Sequence, residues 1–375
     1  MARDPWDRPL TRRDVLRGGA GAALAIGMAG CGVGEGGGGA TKQSTERVVK
    51  ATPDGDLVYF NWSEYLDPKL IKAFEKRHGV KVRESNFESM QGMMAKLRSG
   101  NRYDLIFPSS EWVDRLRKAN QLLRIDTGQL RNAGTVYDYF AEPWYDPAAD
   151  HTVPYAMYAT GIIYRADKID SMSGSWNDIG TDAADGRAYL LDDFQEVIGA
   201  GNLVNGAELN STDAADVEQA KQWALGLKPK LRGFSTDDVQ NMVSGNAWVH
   251  HGWNGDVVNV RNQVDKPENY SFQKCREGIP LGTDCFAIPA NAEHPGTALA
   301  FIDFVLEPEN AARNIEYMGY PMPYEGPDAT FAELVKDDPA INVTVDDLAN
   351  GQQFENLGAA GRRVWDQAWT EIKAG

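Results

Sequence analysis

Apolar and polar positions along this chain repeat as short extended runs, each followed by a one-sided helical pattern. Leu57-Val58-Tyr59-Phe60 predicts a strand, and Leu70, Ile71 and Phe74 share a helical face that His78-Gly79 closes. Val80-Lys81-Val82 predicts the next strand. Residues 90–98 predict an amphipathic helix with Met93, Met94 and Leu97 on its apolar side. Residues 104–107 predict a third strand, ahead of a helix marked by Trp112, Val113 and Leu116. Strand-helix alternation of this kind signals a parallel sheet covered by helices.

The pattern resumes after a Pro/Asp/Tyr-rich interval at residues 135–155. Strands are expected at 161–164, 189–191, 247–249 and 286–289, with helices over 213–227, 297–306 and 308–318. Pro321, Pro323, Gly326 and Pro327 predict an irregular link, and Val364, Trp365, Ala368, Trp369 and Ile372 a closing amphipathic helix. Two α/β lobes with a cleft between them account for this order, and ligands in such sheets sit beyond strand carboxyl ends.

The N-terminus changes where such a fold would work. Arg12-Arg13 precede a small-residue run over residues 18–30, too short to span a bilayer, and Met28-Ala29-Gly30 precede Cys31. The order reads as a twin-arginine export signal followed by a site resembling a lipobox, with lipidation expected at Cys31. Gly32 to Ala40 holds six glycines, the composition of a flexible leash. The segments expected are therefore a signal over 1–30, a tether over 31–55, one lobe over 56–157 with 285–322, and a second over 158–284 with 323–375. Ordered structure is expected from about Leu57 onward.

The 375 residues carry a formal net charge of −16. The signal is net basic, so the exported chain is more acidic still. That argues against a nucleic-acid partner, which needs a basic face, and favours attraction of cations. Cys275 and Cys285 form an even pair in an exported chain and suggest a disulfide, with two free buried thiols as the alternative. No Cys-x-x-Cys or His-rich spacing marks a metal site, and His250-His251 reads as a strand end.

Candidate chemistry clusters in loops after the strands. Trp62-Ser63-Glu64-Tyr65 follows the first strand, and Ser109-Ser110-Glu111-Trp112 the third. Asp192-Asp193-Phe194-Gln195-Glu196 and Trp253-Asn254-Gly255-Asp256 follow later strands, while Asp284 and Tyr320 fall near the crossings between lobes. Aromatic faces with carboxylates suit a flexible organic cation, each ring contributing roughly 0.5–2 kcal/mol. Bland roles compete: Trp62 and Trp112 as core plugs, one aspartate of the 192–193 pair as a helix cap, Glu196 in a first helical turn. A secreted hydrolase using two of these carboxylates is the alternative from another class, though no nucleophile elbow or Ser-His-Asp set accompanies them.

These residues carry a family resemblance. VYFNWSEYLDP, YDLIFPSSEWVDRLRK, HTVPYAMYATGIIY, LLDDFQEV, WNGDV, DCFAIPANA, MGYPMPY and LGAAGRRVWDQAWTEIKAG resemble the spermidine/putrescine receptors of bacterial ABC importers, over nearly the whole chain from Leu57 to Lys373. The resemblance implies the two-lobed periplasmic-binding fold of type 2, each lobe a mainly parallel sheet flanked by helices. It implies no enzyme activity and no cofactor. A polyamine, or another small organic cation, would be held in the cleft by a monomer that delivers it to a permease, with only a lipid anchor in the membrane. By position, Trp62 resembles the family's first-loop aromatic, with Ser63, Glu64 and Tyr65 beside it, and Ser109 the serine after the third strand. Asp193 and Glu196 resemble the acidic pair at one amine, Trp253 the stacking tryptophan, Asp284 a second amine-holding carboxylate and Tyr320 a cleft tyrosine. Two positions depart: Gly282 stands where a tryptophan is common, removing one aromatic wall, and Glu111 where a tyrosine is common, adding an acid. The family's C-terminal polar contact falls near Phe354-Glu355.

Overall fold

A computed structural model of the protein describes residues 49–87, 89–132 and 136–375. The paired arginines, Cys31 and the glycine leash lie outside the described residues.

The first half is built as its pattern dictates. Strand β1 (Leu57–Trp62) leads to helix α1 (Pro68–His78), where Asp67 accepts from the Lys69 N–H, Pro68 opens the helix and Gly79, at φ 69°, ends it. Strand β2 is Val82–Phe87 rather than residues 80–82, because residues 80–81 belong to the turn that hands the chain back to β1 through Leu57 N–H to Lys81 O at 2.8 Å. As an outer strand with mostly polar residues, β2 offered little apolar signal. Helix α2 (Met90–Arg98), the two-residue β3 (Leu105–Ile106) and helix α3 (Ser110–Lys118) follow.

Strand β4 (Thr152–Arg165) is longer than the predicted 161–164, and its first four residues fall in the interval that reads as a loop. The second half then runs β5 (Ala188–Leu190), α4 (Phe194–Val204), α5 (Ala214–Leu227), β6 (Leu231–Phe234), α6 (Asp238–Val243), β7 (Val249–Trp253), α7 (Asn254–Asn262), β8 (Tyr270–Gln273) and β9 (Pro280–Ala287). Helices α8 (Pro295–Val305), α9 (Pro308–Met318), α10 (Pro327–Leu334) and α11 (Val345–Asn350), the short β10 (Gln352–Gln353) and α12 (Gly358–Ala374) complete the chain. None of the described helices is long and apolar enough to cross a membrane.

The strand order is β2-β1-β3-β9-β4-β7-β5-β6, with β8 on β4 and β10 on β9. Pairing is parallel among β1, β2 and β3, among β5, β6 and β7, and between β9 and β10, whereas β4 runs antiparallel to β7, β8 and β9, and β9 antiparallel to β3. β4 pairs β9 over residues 152–159 and β7 over 160–164, so one strand passes from the first half of the sheet into the second. This is the two-lobed α/β arrangement with a cleft at the carboxyl ends of β1, β3, β5 and β7.

One core gathers Tyr59, Phe74, Phe107, Tyr155, Phe286 and Phe301, and another Trp176, Val197, Ile198, Trp365 and Ile372. Both tryptophans are fully buried with satisfied indoles, Trp176 donating to Gly278 O at 2.8 Å and Trp365 to Ser211 O at 2.9 Å.

The suggested disulfide is absent: Cys275 and Cys285 are free and buried. Cys275 packs with the core around Trp176, and Cys285 with Phe60 and Trp112. Along β4, Cys285 lies opposite Pro154 and Gln273 opposite Ile162, eight residues apart; at ~3.3 Å per residue this keeps Cys275, two residues beyond Gln273, well outside the ~7 Å limit between bridged Cα atoms.

Candidate functional site

All eleven residues singled out in the loops, Trp62, Ser63, Glu64, Tyr65, Ser109, Glu111, Asp193, Glu196, Trp253, Asp284 and Tyr320, line one cavity of about 340 Å³. Strand ends place most of them, while Asp284 lies within β9 and Tyr320 follows α9. Trp62 closes β1, and its indole donates to Phe107 O at 3.2 Å while packing on Phe87. The chain then turns through Glu64, at φ 55°, a backbone region that non-glycine residues seldom adopt. Tyr65 is thereby directed into the protein, where its hydroxyl donates to Asp284 Oδ2 at 2.8 Å. Ser109 stands at the start of α3 but caps no helix N–H; its hydroxyl donates to Asp284 Oδ1 at 2.7 Å. Asp284 thus has both oxygens fixed, and burial raises its pKa to about 6 against these two favourable bonds.

A second acidic group lies opposite. Asp193 caps α4, accepting from Gln195 N–H at 2.7 Å and Glu196 N–H at 3.3 Å, so the capping role and the cleft position belong to one residue. Glu196 Oε1 accepts from Thr160 Oγ1 at 3.1 Å and from the Trp253 indole at 3.3 Å, while Oε2 is buried without a hydrogen-bond partner. Burial, then the charge of Asp193, pushes Glu196 well above the usual carboxylate range. Glu111, in the first turn of α3, is buried with Oε2 unpartnered, and burial raises it to about 8.

Sequence reasoning missed a third group. Asp238, at the start of α6, is buried with Oδ2 unpartnered, and Asp256 of α7 accepts from Tyr320 Oη at 2.7 Å. Burial raises Asp238 well above its ordinary value and Asp256 to about 6, their mutual proximity coupling the two. Asp256 lay in the WNGD loop already read as cleft-forming. Asp238 had no such signal, because it follows β6, a strand with a weak apolar pattern.

The aromatic wall taken to be missing at Gly282 is supplied from across the ladder. Tyr158 of β4 pairs with Gly282 of β9 and lines the cavity. A Cβ at residue 282 would lie 2.2 Å from Tyr158 Cζ, so this tyrosine and a larger residue at 282 exclude each other. Trp112 also lines the cavity while being buried under Arg115, combining core and cleft roles. Phe354 reaches the cavity, and Glu355 is exposed. His250 and His251 are fully buried in β7, as their strand reading implies, and burial lowers them to about 4 and about 3, so both are neutral at ordinary pH.

The described lining residues include eight carboxylates and no lysine, arginine or histidine. Several of those acids are buried, at the cost of desolvation, without a basic partner. Chemically the cavity is built to receive positive charge along an apolar, aromatic path.

Comparison with known proteins follows the same direction. Residues 69–343 match the family of bacterial extracellular solute-binding proteins. The chain is 31% identical over 329 residues to the spermidine/putrescine-binding periplasmic protein of Escherichia coli, covering 87% of this chain and 93% of that one. It is 27% identical to the putrescine/cadaverine-binding protein of Pseudomonas aeruginosa, covering 86% and 95%. Among solved structures it is similar to the Tp0655 (TpPotD) lipoprotein of Treponema pallidum, with TM-score 0.75 and 27% identity, covering 85% of this chain and 99% of that one.

Proposed function

The chain belongs to the bacterial extracellular solute-binding proteins, and on that premise we propose that it binds a polyamine of the spermidine and putrescine class and delivers it to an ABC permease. The observation that carries this reading is the eight-carboxylate cavity with no basic residue among its described lining. A polyamine brings ammonium groups separated by methylene spacers, and the cavity offers acidic groups separated by rings. In this reading Asp284 holds one ammonium, Asp193 and Glu196 another, and Trp62 and Trp253 lie along the methylenes. The buried Glu111, an additional acid in the cleft, favours one variation, a different small organic cation.

Isothermal calorimetry with putrescine, spermidine, spermine, agmatine and choline separates these readings. Binding of at least one polyamine below ~100 μM is expected, and that threshold corresponds to about 5.5 kcal/mol. A protein that takes up choline or agmatine and ignores all three polyamines is a receptor of another kind.

The chain works as a monomer on the outer face of the cell membrane, exported through the twin-arginine route and held by lipid on Cys31. The glycine leash would then keep the receptor at high effective concentration near its permease. Cys31→Ser is expected to move the protein from the membrane fraction to the soluble fraction, and unchanged fractionation would remove the anchor from this account. The division into lobes at residues 157/158 and 284/285 is part of the same proposal, and it is supported by β4, whose pairing passes from β9 to β7 near residue 160.

A further inference from the structure

Outside the cleft, one group of side chains brings two carboxylate oxygens and an imidazole nitrogen together with only ion-pair contacts among them. Asp146, Asp150 and His151 lie just before β4, and their Oδ1, Oδ1 and Nδ1 atoms fall within 4.8 Å of one another. His151 Nδ1 is 2.6 Å from Asp150 Oδ1 and 3.4 Å from Asp146 Oδ1. All three atoms are buried, and none has a partner in hydrogen-bond geometry.

Asp146 makes this more than an acidic cluster. Its side chain is fully buried, and its two oxygens are used very differently. Oδ2 accepts from His151 N–H at 2.9 Å, Thr152 N–H at 3.0 Å and Thr152 Oγ1 at 3.0 Å, while Oδ1 makes no hydrogen bond and meets only the imidazole, at the 3.4 Å of a loose ion pair. A buried carboxylate with one oxygen saturated and the other held only by a loose contact is costly unless something further occupies that side. Asp150 repeats the pattern: Oδ2 is paired with Arg124, and Oδ1 is left toward His151. The outer contacts fix each carboxylate so that its free oxygen points inward, which is how supporting bonds orient metal ligands.

We propose that Asp146, Asp150 and His151 form a binding site for a divalent transition-metal ion of the zinc class. Ligand atoms ~2.0–2.2 Å from such an ion lie ~3–3.5 Å apart, so the trio needs only small adjustments to close on one. The nitrogen donor sets the class: calcium and magnesium prefer all-oxygen shells, whereas two carboxylates and an imidazole suit zinc. Three protein ligands leave a fourth position to water. None of the three residues lines the cleft, so the site is separate from the one that would take the organic cation. It fastens the 146–151 loop to the beginning of β4.

The test is calorimetric titration of the tag-free protein with zinc chloride, in parallel with His151→Gln, Asp150→Asn and the cleft variant Asp193→Asn/Glu196→Gln. One zinc ion per chain is expected to bind in the low micromolar range, with affinity falling by at least ~10-fold in His151→Gln and Asp150→Asn and unchanged in the cleft variant. A zinc-dependent rise in melting temperature, reversed by EDTA, is expected in the wild type. The proposal is overturned if the wild type takes up no zinc. It is equally overturned if uptake survives in both loop variants and is lost in the cleft variant. His151→Gln and Asp150→Asn carry the test because Asp146, with three structural bonds, could unfold the loop when replaced.

Discussion

Asp284→Asn combined with Glu196→Gln is expected to weaken spermidine binding by two to four orders of magnitude while leaving the unliganded protein at least as stable as the wild type. Each substitution removes one charge-assisted bond to an ammonium, worth ~1.5–3 kcal/mol, and ~1.4 kcal/mol corresponds to tenfold in affinity. The stability half of the expectation follows from the empty cleft. Both acids are held above the ordinary carboxylate range by burial, so their charged forms burden the folded state until a cation arrives. An amide of the same shape removes that burden. At Asp284 it also keeps an acceptor for Tyr65 or Ser109, and the other hydroxyl can rotate to accept. Calorimetry gives the first half and thermal denaturation the second. Spermidine affinity within fivefold of wild type in a variant that melts normally would remove these two residues from the ligand's path.

Affinity for a polyamine is also expected to rise steadily between about pH 5.5 and 8 and then level off. Asp284 and Asp256 sit at about 6 and Glu111 at about 8 in the unliganded cleft. A bound polycation favours their ionised forms, so binding releases protons wherever the free protein still holds them. Above about pH 9 Glu111 has given up its proton as well and adds no further rise, while alkyl ammonium groups stay charged to ~10. Stability of the empty protein runs the other way. A carboxylate whose folded pKa lies above its unfolded value contributes stability at low pH, and that contribution is lost as pH rises through the folded pKa. The unliganded melting temperature should therefore fall from pH 5 to 8.5. The loss amounts to a few kcal/mol, since each tenfold difference in proton affinity between folded and unfolded chains corresponds to ~1.4 kcal/mol. Saturation with ligand should flatten that decline. Calorimetry in buffers of different ionisation enthalpy reads the released protons directly. Affinity that is flat or falling from pH 5.5 to 8 would mean that these acids do not face the ligand's charge.

What could be read from the residues alone follows from how local the signals are. Helices α2, α5 and α9 emerge within a residue or two of their predicted ends, because one apolar face and a cap such as Asp213 suffice to define them. Strands fared less well where burial is set by distant partners. His250-His251 looks polar, yet it is fully buried because β7 is paired on both sides, by β4 and β5. The cleft residues were legible because they follow strand ends. Tyr158 was not, since its role exists only across the β4–β9 ladder, where Gly282 makes room for it. Asp238 and the Asp146–His151 group share that difficulty, being defined by side chains that converge only after folding.

Strand β4 carries a further consequence, a mechanical one. Because it runs unbroken from one half of the sheet to the other, rotation of one lobe against the other must be absorbed as bend and twist in paired, extended backbone. Such a connection behaves as a leaf spring rather than a loose joint. Its pairing with β9 shifts register between Pro154 and Ala156, and that interruption is where the spring yields most readily. The restoring torque then resides in the chain itself, only a few residues from the tyrosine that walls the cleft.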